Sequence, residues 1–238
     1  MVANTRETDI SVTIEPRIAV IGIGGAGCNV ISGFYEALAP VDTIAINTDR
    51  KALDETAADR KIYICKAVTK GEGTKGDTRL GNKCAKVHED EIEKAIIGHD
   101  VVFIVAGLGG GTGTGAASVV AELCNRNNIT AFAIAINPFF FESDRISVAR
   151  EGLRGIRAAC PNTFTVENDK VLEFMPEATM NQAMRSVNRS IMYFVKKASA
   201  QINKQIENEL DMIQKKVSPK KMVLKDMPEI QYFSGIEI

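Results

Sequence analysis

Two glycine-rich segments of this 238-residue chain have the composition of phosphate-binding turns. The longer one, residues 107–115, reads GLGGGTGTG and directly follows the apolar run VVFIVA at 101–106. A buried strand that ends in such a turn leaves backbone N–H groups free at the mouth of a sheet, where they bind an anion such as a polyphosphate. Glycine runs also form flexible linkers, but this one is followed at once by ASVVAELC at 117–124, a helical pattern. The predicted phosphate donors are Gly109, Gly110, Gly111, Thr112, Gly113, Thr114 and Gly115.

The second glycine turn lies near the start of the chain, where residues 18–29 read IAVIGIGGAGCN. Alone it satisfies the dinucleotide fingerprint G-x-G-x-x-G, and Asp49 lies at about the right distance downstream to bind a ribose. A protein that binds NAD or FAD is therefore an alternative interpretation. A dinucleotide needs one pyrophosphate turn, whereas a nucleoside triphosphate can use both glycine segments. The residues predicted to bind ligand at this turn are Gly22, Gly24, Gly25, Ala26 and Asn29.

The composition excludes several classes of protein. The formal net charge is −1, so no overall positive field attracts nucleic acid or acidic lipid. The chain has five cysteines without a CxxC pair and only two histidines, which predicts unpaired thiols in a reducing cytosol and argues against a zinc site. No stretch has the form of a signal peptide or the length of a membrane span. We therefore expect a cytoplasmic protein with no nucleic-acid partner and no membrane span.

Strand and helix patterns alternate along the chain, which predicts an α/β fold: a Rossmann-like parallel sheet with helices on both faces. The runs VVFIVA and TAFAIAI are apolar on both alternating faces, as buried parallel strands are. Predicted strands lie at 17–22, 43–47, 62–65, 101–106, 130–136 and 163–166, and predicted helices at 26–38, 77–97, 114–127 and 143–159. The predicted organisation is a flexible arm at 1–16, a nucleotide-binding domain at 17–176, a long helix at 177–217 and a short tail at 218–238.

The C-terminal part of the chain carries one long apolar stripe. Neither glycine nor proline occurs between Pro176 and Pro219, and apolar residues recur every three or four positions there. This pattern predicts a single amphipathic helix of roughly forty residues, about 60 Å long. Such a stripe must be buried against a partner helix or against the chain's own C-terminal tail. The stripe consists of Val187, Ile191, Phe194, Ala198, Ile202, Ile206, Leu210, Ile213 and Val217.

Five motifs occur in the order and rough spacing of the FtsZ/tubulin family: GIGGAGCN at 22–29, NTD at 47–49, GGGTGTG at 109–115, PFFFE at 138–142 and END at 167–169. The chain resembles the GTP-binding domain of FtsZ over about residues 17–195. The resemblance implies that GTP or GDP binds on the sheet, with Mg²⁺ to compensate the charge of the triphosphate. It also implies self-association, as a head-to-tail filament or a dimer, and possible partners in cell division or membrane remodelling.

The resemblance also assigns roles to residues around the phosphates. Asn47 or Asp49 would lie near the metal ion and the phosphates. The stretch KAVTKGEGTKG at 66–76 is a solvated loop in the simplest interpretation. In the family, a glycine-containing loop at this place closes over the terminal phosphate, which makes Gly71 and Gly73 candidates.

Further residues match the family's sugar and base contacts. Glu142 would accept hydrogen bonds from the ribose hydroxyls, close to Pro138 at the exit of a predicted strand. Asn168 and Asn188 match positions that recognise guanine, whose N1–H and N2–H₂ edge offers donors that adenine lacks. A family arginine lies four residues after the glutamate, whereas Arg145 lies three residues after it. Arg145 either reaches the phosphates from a shifted turn, or that contact is lost.

The chain departs from the family where catalytic acids are expected. In FtsZ and tubulin, the next subunit of the filament inserts a loop with the pattern N-x-D-x-x-D, whose acids orient the attacking water. Here the pattern falls on Asn208 with Leu210 and Ile213 at the two acidic positions. Glu209 and Asp211 lie one or two places out of step and are the candidate catalytic residues.

These departures define the functional expectations. We expect a GTP-binding, FtsZ-like cytoskeletal protein with slow or partner-dependent hydrolysis. The alternative is a GTP-binding scaffold or dimer that acts as a regulator without hydrolysis. The second domain that normally follows in FtsZ has no counterpart in this sequence. We expect a natural, divergent relative, because the altered positions precede the missing domain and a simple truncation would not produce them.

Overall fold

The computed structural model describes residues 15–37 and 41–217, except for the side chains of Glu36, Asp211 and residues 213–217. The chain divides into two compact units. One comprises residues 15–201, and of the other only residues 202–217 are described. The predicted arm at 1–16 and tail at 218–238 therefore lie almost entirely outside the described residues.

Six parallel strands form one sheet in the order β3-β2-β1-β4-β5-β6, which confirms the predicted α/β fold. All six residues of β1 are buried, and so are the first six residues of β4. Strands with this composition, rich in Val, Ile and Ala, suit a sheet that is covered on both faces. The strands are β1 Ile18–Ile23, β2 Asp42–Asn47, β3 Arg60–Tyr63, β4 Val101–Gly107, β5 Thr130–Asn137 and β6 Thr163–Glu167.

The helices that connect the strands begin earlier than predicted at both glycine segments. The first begins at Gly24 rather than 26, and the helix after β4 begins at Gly111 rather than 114, so most of the longer glycine run is helical. The described helices are α1 Gly24–Glu36, α2 Arg50–Glu55, α3 Lys66–Thr69, α4 Thr78–Val87, α5 Glu89–Ile96, α6 Gly111–Arg126, α7 Ser143–Ala159, α8 Asp169–Phe174 and α9 Met180–Val217.

The single helix predicted over 77–97 is wrong, because two helices, α4 and α5, meet at His88. The His88 imidazole Nδ1 lies 3.0 Å from the Cys84 carbonyl oxygen, so the side chain satisfies a carbonyl at the end of α4. The next three residues are acidic and occupy the first turn of α5, where they interact favourably with the helix dipole. These acidic residues therefore favour the start of a new helix at Glu89.

The long helix α9 spans 38 residues, which confirms the predicted long C-terminal helix. Its start is fixed by Thr179 and Gln182, since the Thr179 N–H donates to Gln182 Oε1 at 2.8 Å and the Gln182 N–H donates to Thr179 Oγ1 at 3.4 Å. In the unit 15–201, its buried positions include Val187, Ile191 and Val195. No helix among the described residues is both long and apolar enough to cross a bilayer.

The prediction that all cysteines are unpaired is wrong. Cys65 and Cys84 are joined in a disulfide, with their Cα atoms 5.2 Å apart. They are 19 positions apart in sequence, and only the packing of α4 beside the end of β3 brings them together. Cys28, Cys124 and Cys160 are buried free thiols.

Helices α4 and α6 pack so closely that their backbones touch at glycines. A Cβ atom added to Gly81 of α4 would overlap the carbonyl of Gly111 in α6, and one added to Gly115 would overlap the carbonyl of Thr78. The glycines of 111–115 are therefore needed for helix packing as well as for the turn.

We predict that Gly81→Ala lowers the free energy of unfolding by about 1–3 kcal/mol, the usual cost of forcing an extra carbon into a packed site. Gly155→Ala is the matched control, because Gly155 also lies inside a helix but an added Cβ meets no atom within 4 Å. That variant should gain up to about 1 kcal/mol from better helix propensity. Urea unfolding at equilibrium measures both. Equal effects of the two substitutions would contradict the close contact of α4 and α6.

Candidate functional site

The candidate site is a cleft along the carboxyl edge of the sheet. The strand order reverses between β1 and β4, since the chain passes from β1 outward to β2 and β3 and then returns to β4 on the other side. In open parallel sheets, ligands bind in the crevice that such a reversal leaves at the carboxyl ends of the strands. Two adjoining pockets occupy this edge and share Ala26, Gly107, Leu108 and Arg145.

The two glycine turns meet in the pocket that Gly24, Gly25 and residues 110–113 line, which we call the anion pocket. Gly24 has φ +70°, and a Cβ there would lie 2.9 Å from the backbone nitrogen of Gly113. None of the described side chains caps the N-terminus of α1 or α6, and neither first turn contains an acidic residue. The free N–H groups and the helix dipoles therefore favour an anion at this point.

Two glycines leave room for that anion. A Cβ added to Gly25 or Gly110 would meet no atom within 4 Å, and both residues line the anion pocket. Side chains at these positions would fill space that a phosphate group needs. The surroundings fit a polyphosphate.

A loop from Glu72 to Gly76 covers one side of the anion pocket. Its Thr74 hydroxyl lies 3.4 Å from the hydroxyl of Thr112, which is itself hydrogen-bonded to the Thr48 hydroxyl at 2.6 Å. Lys75 forms an ion pair with Glu72 at 2.5 Å, and the hydrogen bond from the ammonium lowers the pKa of that carboxyl. Of this loop, Gly73 was predicted from the sequence, whereas Glu72, Thr74 and Lys75 were not. The lysine-rich composition of residues 66–76 was the signal that could have pointed to the whole loop.

Asn47 ends β2 and Asp49 follows two residues later, and both line the anion pocket beside this loop. The buried Asn47 Oδ1 accepts hydrogen bonds from the Thr48 N–H at 2.8 Å and the Asp49 N–H at 3.2 Å, so it fixes the turn. One oxygen of Asp49 caps α2 by accepting from the Ala52 N–H at 2.9 Å. The other, Oδ2, lies on the side of Gly73. Asp49 thus places a carboxylate oxygen beside the loop from Glu72 to Gly76.

The second pocket, which we call the base pocket, is lined by residues of α1 and α9, by the ends of β4 and β5, by the start of α7 and by Asn168. Asn168 in this pocket is only 5% exposed, and its Oδ1 has no hydrogen-bond partner among the described residues. A buried acceptor without a partner costs free energy, about 1–3 kcal/mol, so a ligand donor would stabilise it. Asn29, Pro138 and Asn188 also line this pocket.

Glu142 and Arg145 lie where the two pockets join. Glu142 Oε2 accepts from the Phe139 N–H at 3.0 Å, and Oε1 accepts from Arg145 Nη1 at 2.7 Å. Arg145 lines both pockets, whereas Glu142 lines only the base pocket. The guanidinium therefore lies at the boundary between the anion pocket and the base pocket.

Five of the predicted ligand-binding residues do not line the cleft. Gly109 has φ +87° and packs against the backbone of Arg145, and its N–H donates to Thr114 Oγ1 at 2.9 Å, so both residues shape the turn from behind. The candidate acid Glu209 is exposed on α9 in the unit that contains residues 202–217, and the Asp211 side chain lies outside the described residues. The predicted residues that line neither pocket are Gly22, Gly71, Gly109, Thr114 and Gly115.

A buried thiol supports the first glycine turn from below. Cys28 Sγ lies 3.9 Å from the Gly22 carbonyl oxygen and 4.0 Å from that of Ile46. Burial raises the pKa of Cys28 to about 11 and that of Cys124 to about 12. Neither thiol is a nucleophile at neutral pH, because only the thiolate reacts.

Together, the parallel sheet, the reversed strand order and the cleft with two glycine turns define a nucleotide-binding α/β protein. The family model for the GTPase domain of the Tubulin/FtsZ family matches residues 17–176, more than half of the chain. The chain therefore belongs to the tubulin/FtsZ family.

Individual relatives agree with this assignment. Cell division protein FtsZ 2 of Methanocaldococcus jannaschii is 38% identical over 183 residues, which are 76% of this chain and 48% of that protein. A solved structure of an empty FtsZ dimer from M. jannaschii has a TM-score of 0.74 and 37% identity, covering 78% of this chain and 55% of that one. A GDP-bound monomer of CetZ1 from Haloferax volcanii has a TM-score of 0.67 and 26% identity, covering 74% and 57%. This chain spans about half the length of the curated relatives it matches.

We predict a loss of stability at alkaline pH that depends on Cys28. Its pKa in the folded protein is about 11 against an ordinary value of 9.0, so the folded state holds the proton more tightly. The stabilisation is complete below pH 9 and is lost as the pH rises towards 11, at about 1.4 kcal/mol per pH unit. Between pH 8 and 10.5, the wild type should lose about 2 kcal/mol more than Cys28→Ala in urea unfolding. Parallel losses in the two proteins would show that the thiol is not protected by burial.

Proposed function

We propose that this protein binds GTP and GDP in the cleft and that its nucleotide state controls self-association. The observation that carries the proposal is the Asn168 Oδ1, which has no partner within the described part of the chain. It lies at one end of a cleft whose other end is formed by the starts of α1 and α6, where no described side chain provides a cap. An acceptor at one end and anion-binding N–H groups at the other suit a purine nucleotide with a polyphosphate.

The phosphates would bind the N–H groups of the two glycine turns in the anion pocket. Thr112 and the loop from Glu72 to Gly76 would surround them, and Arg145 would add a positive charge at the junction. Mg²⁺ would be held mainly by phosphate oxygens and by Asp49, because this ion usually binds one or two carboxylates together with the substrate phosphates. Within the described residues no cluster of His, Cys, Asp and Glu could hold a metal ion by itself, so the ion would arrive with the nucleotide.

The sugar and base would occupy the base pocket. Glu142 would release Arg145 and accept from the ribose hydroxyls, which replaces one charge-assisted hydrogen bond by others. Asn168 Oδ1 would accept from the N1–H and N2–H₂ edge of guanine, and Asn188 would provide a second contact. Adenine presents an acceptor at N1 and would leave Asn168 Oδ1 unpaired, which favours GTP over ATP.

Hydrolysis is expected to be slow or to need a partner. Helix α9 continues without a break through residues 208–213, where the resemblance to FtsZ places the catalytic loop. Leu210 is half-buried there, and only Glu209 and Asp211 offer carboxylates. A GTPase depends on a correctly positioned water, so carboxylates out of step with the family pattern predict a low rate. The non-hydrolysing GTP-binding scaffold or dimer remains the alternative.

The proposed setting is the cytoplasm, with self-association as a dimer or filament and with partners in cell division or membrane remodelling. The FtsZ dimer of M. jannaschii supports self-association. The names of the curated relatives support a role in cell division.

We predict that Asn168→Ala weakens GTP binding by roughly 5- to 100-fold, equivalent to the loss of about 1–3 kcal/mol. Isothermal titration with GTP and GDP in the presence of Mg²⁺ measures the effect. Asn181→Ala is the matched control, because Asn181 is exposed on the first turn of α9 and lines neither pocket. Unchanged affinity in Asn168→Ala would remove the base contact, and displacement of GTP by NAD or FAD would favour the dinucleotide alternative.

We predict slow phosphate release from GTP, with a rate per molecule that rises with protein concentration because the active site is completed by a second subunit. Glu209→Ala or Asp211→Ala should lower this rate about a hundredfold or more if the carboxylate positions the water. Gln205→Ala, which changes an exposed residue on the same helix outside the motif and removes no charge, serves as the control. Tightly bound, intact GTP with no phosphate release would identify the scaffold instead.

A further inference from the structure

A pair of cysteines lies at the base of the loop that covers the anion pocket. Cys65 precedes α3, just after β3, and Cys84 lies on α4. Their Cα atoms are 5.2 Å apart, within the range that a disulfide requires, and their sulfur atoms are bonded. Cys84 is fully buried, whereas Cys65 is 8% exposed.

The chain enclosed by this pair includes the phosphate-covering loop. Residues 72–76 line the anion pocket and lie between the two cysteines in sequence. The enclosed segment is also hydrogen-bonded to the turn that follows β2. The Arg50 N–H donates to the Gly71 carbonyl at 3.0 Å, and the Thr69 hydroxyl donates to the Thr48 carbonyl at 3.0 Å. A constraint on Cys65 and Cys84 is therefore a constraint on one wall of the nucleotide cleft.

The enclosed segment has an unusual backbone that needs such a constraint. Cys65, Lys70 and Lys75 have φ values of 59°, 49° and 50°, in the left-handed region that residues with a side chain rarely adopt. Residues held in this region persist only where the surrounding structure enforces them. A covalent link that begins at Cys65 removes alternative conformations of the loop, because it closes the segment at both ends.

His88 keeps the two cysteines together independently of the sulfur–sulfur bond. The Cys65 N–H donates to His88 Nε2 at 3.4 Å, and His88 Nδ1 lies 3.0 Å from the Cys84 carbonyl oxygen. With the proton on Nδ1, the imidazole bridges the two backbones. Reduced thiols would therefore stay close to each other, and the disulfide can form again.

We propose that Cys65 and Cys84 form a reversible oxidation site that controls how long the cleft retains its nucleotide, which rests on the nucleotide site proposed above. A low-molecular-weight disulfide is the oxidant. The thiolate of Cys65, the more exposed of the two, attacks it and releases one thiol, and the thiolate of Cys84 then displaces the second. The protein loses two protons and two electrons, and the oxidant becomes two thiols. The oxidised form holds the covering loop in place and slows nucleotide dissociation.

The test compares the full chain after incubation with glutathione disulfide or with dithiothreitol. Thiols counted under denaturing conditions should number three in the oxidised form and five in the reduced form. Dissociation of a fluorescent GDP analogue, followed by stopped flow, should be at least about fivefold slower from the oxidised form. Cys65→Ser and Cys84→Ala should each abolish the difference. Cys124→Ala, which removes a buried free thiol, should retain it.

Two results would overturn the proposal: five thiols after oxidation, or equal dissociation rates from forms with three and five thiols. A failure of the nucleotide site looks different, because neither form would then retain GDP while the thiol count still changed. In that case the rate of tryptic cleavage after Lys70 and Lys75 decides. Slower cleavage in the oxidised form supports control of the loop, and equal rates refute it.

Discussion

The structure depends on the contact of two peptide backbones at the carboxyl edge of the sheet. Gly24 and Gly113 approach so closely that a Cβ on Gly24 would lie 2.9 Å from a backbone nitrogen. β1 and β4 are neighbours, α1 begins directly after β1, and α6 begins after the short turn 108–110, so this approach points two helix N-termini at the same volume. Any side chain at the contact would separate the helices and remove the concentration of N–H groups that makes the site suitable for polyphosphate.

The glycines of this run also allow two helices to pack closely. Gly111 and Gly115 lie in α6 and touch α4, so residues whose composition indicates anion binding also bring two helices together. This packing carries α4 towards β3 and thereby places Cys84 next to Cys65. The glycine run therefore lines the anion pocket and also contacts the helix that carries Cys84.

The base pocket depends on a different balance, between burial and hydrogen bonding. Asn168 is buried without a partner for its Oδ1 among the described residues, whereas the nearby Glu142 carboxylate is satisfied by Arg145 and a backbone N–H. Asn168 Oδ1 could accept a hydrogen bond from a ligand without losing a partner, whereas Glu142 would first have to give up one of its present partners. Recognition of the base and of the sugar would thus have different energetic costs, which is a physical reason to expect the purine edge to dominate selectivity.

The amino-acid sequence alone was enough to predict the parallel sheet, the family, the position of both glycine turns and the long helix α9, because these follow from local periodicity and from short motifs whose chemistry is local. It also predicted Asn168 and Glu142 as site residues from motif position alone. Three further features depend on how the helices pack: Gly22, Thr114 and Gly115 do not line the cleft, residues 72–76 form one of its walls, and Cys65 and Cys84 meet. Contacts of this kind join residues distant in sequence through helix packing, and no local pattern records which backbones will touch.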